Sequence, residues 1–96
     1  MHGEYKMPGG KLVVIDLSVR DARLADVQLS GDFFLEPDNA LAAINRALCG
    51  LPADSSRDAI AQAVQAGLPA DAMLFGISPQ AIAEAVRRAL HTGDDA

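Results

Sequence analysis

KLVVIDLSVR, residues Lys11 to Arg20, reads as a β-strand. Val13, Ile15, Leu17 and Val19 fall on one face of a period-2 chain, opposite Leu12, Val14, Asp16, Ser18 and Arg20. The second face turns polar along its length, as in a strand leaving the protein's middle. Arg23 to Ser30 repeats the alternation, with Ala25, Val27 and Leu29 inward and Asp26, Gln28 and Ser30 outward. Asp21-Ala22 between the two runs predicts a hairpin. Alanine resists the positive φ that a type I′ turn demands, so a slightly longer loop is expected. Upstream, Pro8-Gly9-Gly10 sets apart Glu4 to Met7, a candidate edge strand.

Composition changes near Glu36. Two alanines, Ala22 and Ala25, precede it and sixteen follow. Strands first and helices second predict an α+β fold, a small antiparallel sheet built on the N-terminal hairpin and packed by about three helices. Pro37 fits a first helical position with Asp38 at the positive end of the dipole. Leu41, Ile44 and Leu48 form the apolar stripe and Gly50 the stop. Ser55-Ser56-Arg57-Asp58 resembles a capping box with Asp for the usual Glu, ahead of a stripe of Ile60, Val64 and Leu68. Met73-Leu74-Phe75 suits a short strand. Ser78-Pro79 opens a last helix with Ile82, Val86 and Leu90 inward, where Ala85 and Ala89 allow close packing on the sheet. The 96 residues form one domain, 1–96, with residues 1–4 and 92–96 expected to be flexible.

Charge excludes some partners. The net value is −5; residues 1–36 carry four basic against six acidic groups, and residues 37–96 four against seven. Neither part is basic, so nucleic-acid and anionic-membrane partners are not expected. Cys49 is the one cysteine, which fits a reducing cytoplasm. No signal-peptide pattern opens the chain and no apolar run nears the roughly 20 residues of a membrane span. A cytoplasmic location is expected.

Groups for catalysis are sparse. His2 and His91 stand at opposite ends of the sequence, and no CxxC or HxxxH spacing joins either to Cys49. No metal site and no catalytic residue is assigned. The Gly-x-Ser-x-Gly elbow is missing. Gly9-Gly10-Lys11 is not a Walker loop: Tyr5 holds the first glycine's position, Leu12 stands where Ser or Thr is required, and a strand follows where a helix should. What remains is a glycine turn beside Lys6 and Lys11, either a phosphate-facing pair or solvated lysines that protect a strand edge. Asp54-Ser55-Ser56 has the local setting of an acyl-carrier serine, but carriers are helical bundles and the two strands contradict that. Lipoyl and biotinyl carrier domains are all-β, which the helices contradict.

The segment Ser30-Gly31-Asp32-Phe33-Phe34-Leu35 is the least ordinary. Gly31 in a strand pattern points to a bulge or a close backbone approach. Phe33 and Phe34 are adjacent, so an extended chain sends them to opposite sides. Either helices cover both, or one faces a partner.

Taken together, the pattern resembles the accessory (C-terminal) domain of lipoate–protein ligases, as a free-standing subunit. The motifs are Tyr5-Lys6-Met7-Pro8-Gly9-Gly10-Lys11-Leu12, Ser30-Gly31-Asp32-Phe33-Phe34, Pro37, Leu48-x-Gly50 and Phe75-Gly76-Ile77-Ser78-Pro79, in order along nearly the whole chain. The resemblance implies a fold similar to that of the sulfur-transfer and iron–sulfur scaffold proteins. It implies a subunit without catalytic groups that enables a separate catalytic chain to form lipoyl-adenylate, the two making a heterodimer. The complex would use ATP, magnesium and lipoate, this chain alone binding none, and lipoyl-acceptor domains would be indirect partners. Lys6, Gly9, Gly10 and Lys11 become candidates for the nucleotide side, and Tyr5, Asp32, Phe33 and Phe34 for the partner interface. The alternative is a scaffold or interaction domain of the same fold with no part in lipoate chemistry; a third is a thiol-dependent enzyme using Cys49.

Overall fold

The computed structural model describes residues 1–8 and 11–92. Gly9 and Gly10, two of the nucleotide-side candidates, and residues 93–96 lie outside that description. Three strands, β1 (His2–Lys6), β2 (Leu12–Arg20) and β3 (Arg23–Gly31), form an antiparallel sheet in the order β1-β2-β3. A two-stranded ribbon pairs β4 (Phe34–Glu36) with β5 (Met73–Phe75). The helices are α1 (Ala40–Leu48), α2 (Arg57–Gly67) and α3 (Pro79–Thr92). The expected α+β fold of sheet and three helices is the one observed. The edge strand is present too, but it starts at His2, inside the segment expected to be flexible, and ends at Lys6.

Alternation does what it promised on β2. Val13, Ile15 and Leu17 are buried, while Asp16 and Arg20 are exposed on the outer face. Helices α1 and α2 add Ile44, Leu48, Ile60 and Val64 to this core, and α3 adds Ile82, Val86 and four alanines. The helices cover the Val13–Leu17 face, and the other face carries His2, Glu4, Asp16 and Gln28. Small residues set the distance between α3 and the sheet. Gly3 lies under α3, and a Cβ there would collide with the Ala85 carbonyl oxygen and come 2.5 Å from the Ala89 nitrogen.

Several local expectations are overturned. The β2–β3 loop has only two residues, Asp21 and Ala22, with φ of 54° and 63°, the type I′ signature. Tertiary hydrogen bonds hold it: Ala53 N–H donates to the Ala22 carbonyl at 2.8 Å, and Leu24 exchanges backbone bonds with Gly50 and Leu51. In β3, Val27 and Leu29 are buried as expected, but at the strand's start Leu24 is buried and Ala25 is only half-buried. The register slips between Asp16 and Ser18, and opposite it Asp26 takes a φ of 51°. This bulge inserts one residue and reverses the alternation upstream of it.

Helix starts shift as well. Helix α1 begins at Ala40, because Pro37 belongs to a turn whose carbonyl accepts from Ala40 N–H at 2.9 Å. Leu41 therefore rotates outward, and Ala40, Ile44 and Leu48 make the buried stripe. Helix α2 is capped by Ser56, whose Oγ accepts from Ala59 N–H at 3.1 Å. Ser55 donates its hydroxyl to the Pro52 carbonyl at 2.6 Å, so Asp58 has no capping box to complete. Ser78 caps α3 as expected, accepting from Ala81 N–H at 3.1 Å.

Candidate functional site

Gly31 ends β3 with a φ of +145°, and a Cβ there would run into the Leu12 carbonyl oxygen. The close approach read from the sequence is therefore real. Asp32 N–H then donates to that same oxygen at 3.1 Å, and the chain leaves the sheet. Phe33 turns inward and packs half-buried on the core. Phe34 turns outward and is 60% exposed. Phe34 pairs directly with Phe75 across the β4–β5 ribbon, ring centroids 6.1 Å apart. Glu36 pairs with Met73, which is 53% exposed, and Phe75 is 46% exposed. Leu35 and Leu74, between them, face the core and anchor the ribbon.

Lys11 meets this ribbon at its end. Gly76 follows β5 with a φ of +79°, and a Cβ there would stand 2.5 Å from Lys11 Cγ. The aliphatic stem of Lys11 thus crosses the glycine, a packing that a long cationic side chain allows while its ammonium stays in water. Lys6 is exposed on β1, where it pairs with Leu12, the residue after Lys11. Of the sequence candidates, Lys11, Asp32 and Phe34 gather at one end of the fold. Tyr5 and Phe33 are half-buried against the core. The face also contains Met73, Phe75 and Gly76. Period-2 alternation in Met73-Leu74-Phe75 was the available signal, but its partner strand was not legible.

A second feature lies between β1, α2 and α3. An open groove of about 520 Å³ is bordered by Tyr5, Met7, Arg57, Ala61, Glu84 and Arg88. Glu84 accepts from Arg57 at 2.9 Å and from Arg88 at 3.3 Å, and the Arg88 guanidinium lies 4.8 Å from the Tyr5 ring centroid. Desolvation pushes the Glu84 carboxyl upward, but the bonds from Arg57 and then Arg88 outweigh it and hold the group below the usual range. The Arg57–Glu84 pair ties α2 to α3.

The remaining reactive groups stay apart. His2 bonds Asp16 and Glu4, each at 2.7 Å, on the outer sheet face. Its pKa is raised, first by the Glu4 hydrogen bond and then by that to Asp16. His91 meets Arg87 on α3 at 3.0 Å, and Cys49 is exposed at the end of α1. Among the described residues no trio of His, Cys, Asp or Glu forms a metal site, and no helix is long and apolar enough to cross a membrane.

The molecule is thus a small α+β domain in which Phe34, Met73 and Phe75, three of the five exposed large apolar side chains among the described residues, share the β4–β5 ribbon, while Met1 and Leu41 lie elsewhere. No family model and no curated relative matches the chain. Among solved structures it is similar to a chain from an archaeal lipoylation system, a bi-partite lipoate protein ligase and its E2 lipoyl domain from Thermoplasma acidophilum. The TM-score is 0.66 at 23% identity, over 91% of this chain and 98% of that one. The likeness is one of fold.

Proposed function

We propose that this chain is an accessory subunit of a two-chain lipoate–protein ligase, enabling a separate catalytic chain to make lipoyl-adenylate. The observation that carries this reading is the shared fold with a chain from a bi-partite lipoate protein ligase system, over nearly the full length of both chains. The ordered motifs from Tyr5 to Pro79 support it independently. A lipoyl-carrier role fits poorly, since the fold has three helices and its β2–β3 turn is Asp21-Ala22, without lysine.

In the activation step the lipoate carboxylate attacks the α-phosphorus of ATP, the α–β phosphoanhydride bond breaks, and pyrophosphate leaves. Both reactants are anionic, so the step needs cations and exclusion of water around the phosphates. A docked small domain supplies surface for the second and, through Lys11 or Lys6, charge for the first. The test is lipoate-dependent pyrophosphate release by the lipoate ligase catalytic chain of the same organism, with and without this protein. Strong stimulation is expected. Equal rates, together with no complex between the two chains, would overturn the proposal.

A further inference from the structure

We infer that the outer face of the β4–β5 ribbon, centred on Phe34, Met73 and Phe75, is the surface that docks on the catalytic chain; this rests on the function proposed above. The three side chains are exposed by 60%, 53% and 46%, although Leu35 and Leu74 on the ribbon's other face are anchored in the core. The phenylalanines hold each other's rings at 6.1 Å, so the apolar face is pre-ordered and loses little rotamer freedom on binding. Rigid aromatic side chains of this kind anchor the centres of interfaces.

Charge identifies the occupant. With about 200 Å² for each large side chain, the exposed part totals roughly 300 Å². Any partner meeting this patch alone would bury about 600 Å² in total, short of the roughly 1,000 Å² of a stable interface, so the contact must extend beyond the three side chains. Charge disfavours a second copy. Glu36 shares the face with Met73, Asp32 and Asp38 bracket β4, and Asp71 precedes β5. A two-fold contact would set these acids against themselves in a chain that is already −5. The fitting partner is a different protein. It presents an apolar hollow rimmed by Lys or Arg, with an acid for Lys11, whose stem lies against Gly76 beside the patch. Docking there brings the Lys11 ammonium to the joint between the two chains.

The test compares wild type with the Phe34→Ser/Met73→Ser double variant, binding to the lipoate ligase catalytic chain of the same organism by sedimentation velocity. Both positions are exposed, and far-UV circular dichroism checks that the variant is folded. The expected result is affinity at least about thirtyfold weaker in the variant, as for loss of hot-spot side chains. Glu36→Lys should weaken it too. Hydrogen exchange on wild type should show protection over 34–36 and 73–75 when the catalytic chain is added. If wild type binds and the double variant binds within about threefold, with no protection of the ribbon, the surface is elsewhere and the inference fails. A self-associating chain whose dimer is abolished by the double variant assigns the face to a second copy, which also overturns it. No binding by wild type refutes the proposed function itself, and this inference with it.

Discussion

Replacing Gly3 by alanine inserts one methyl group where α3 crosses β1. Gly3 is buried opposite Ile15, and its new Cβ would strike the Ala85 carbonyl oxygen, lie 2.5 Å from the Ala89 nitrogen and 2.9 Å from the Ala89 Cα. All three are backbone atoms of one helix, so no side-chain rotation relieves the clash. Helix and strand must separate by roughly half an ångström or more, opening the contacts of Val86 and Ala89, both fully buried. Overpacking of this kind costs about 1–3 kcal/mol, and a clash with backbone belongs at the upper end. Removing a glycine returns about 0.4–1 kcal/mol by restricting the unfolded chain. The net expectation is a loss of about 2 kcal/mol, read from urea unfolding at unchanged m-value. At roughly 4–8 °C per kcal/mol for a domain of this size, the midpoint should fall by about 8–16 °C. Because backbone causes the clash, adding Ala89→Gly should not restore stability. A Gly3→Ala protein as stable as wild type, or a rescue by Ala89→Gly, would refute this account of the α3–sheet contact.

Three further outcomes follow from local geometry. Ala22→Gly should raise stability by up to about 1 kcal/mol, since Ala22 holds a φ of 63° that costs an L-residue roughly 1–2 kcal/mol and glycine less; equal unfolding midpoints would argue against the two-residue turn. Ser56→Ala should cost about 1 kcal/mol by leaving Ala59 N–H uncapped, whereas Ser55→Ala should spare the cap. His2→Gln tests the outer-face cluster by pH. The folded pKa of His2 is raised by Glu4 and then Asp16, so its stabilisation is full below the ordinary value of about 6.5 and fades as pH rises through the raised one. The difference between wild type and variant in urea midpoint should therefore shrink from acid towards alkaline pH; a constant difference would remove the histidine's charge from the explanation.

Much of the candidate site could be read from the residues, and its assembly could not. Gly31 announced a close approach, and adjacent Phe33 and Phe34 announced opposite destinations, because both follow from one strand's geometry. That Phe34 is the outward one, and that Phe75 stands beside it, depends on a pairing across some forty residues. The stacking of Arg88, from the last helix, over the Tyr5 ring of the first strand is another such long-range pairing.

The amino-acid sequence by itself determined the period-2 faces of β2, the change from strands to helices near Glu36, and the Ser78 cap. Each rests on interactions within one turn or one strand, which spacing encodes. Tertiary structure alone decided the tight Asp21-Ala22 turn, the bulge that buries Leu24, the nearness of Gly3 to α3 and the meeting of Lys11 with Gly76. In each of these, a distant backbone or side chain overrides a local preference worth about a kcal/mol, and only the closed fold brings that partner within reach.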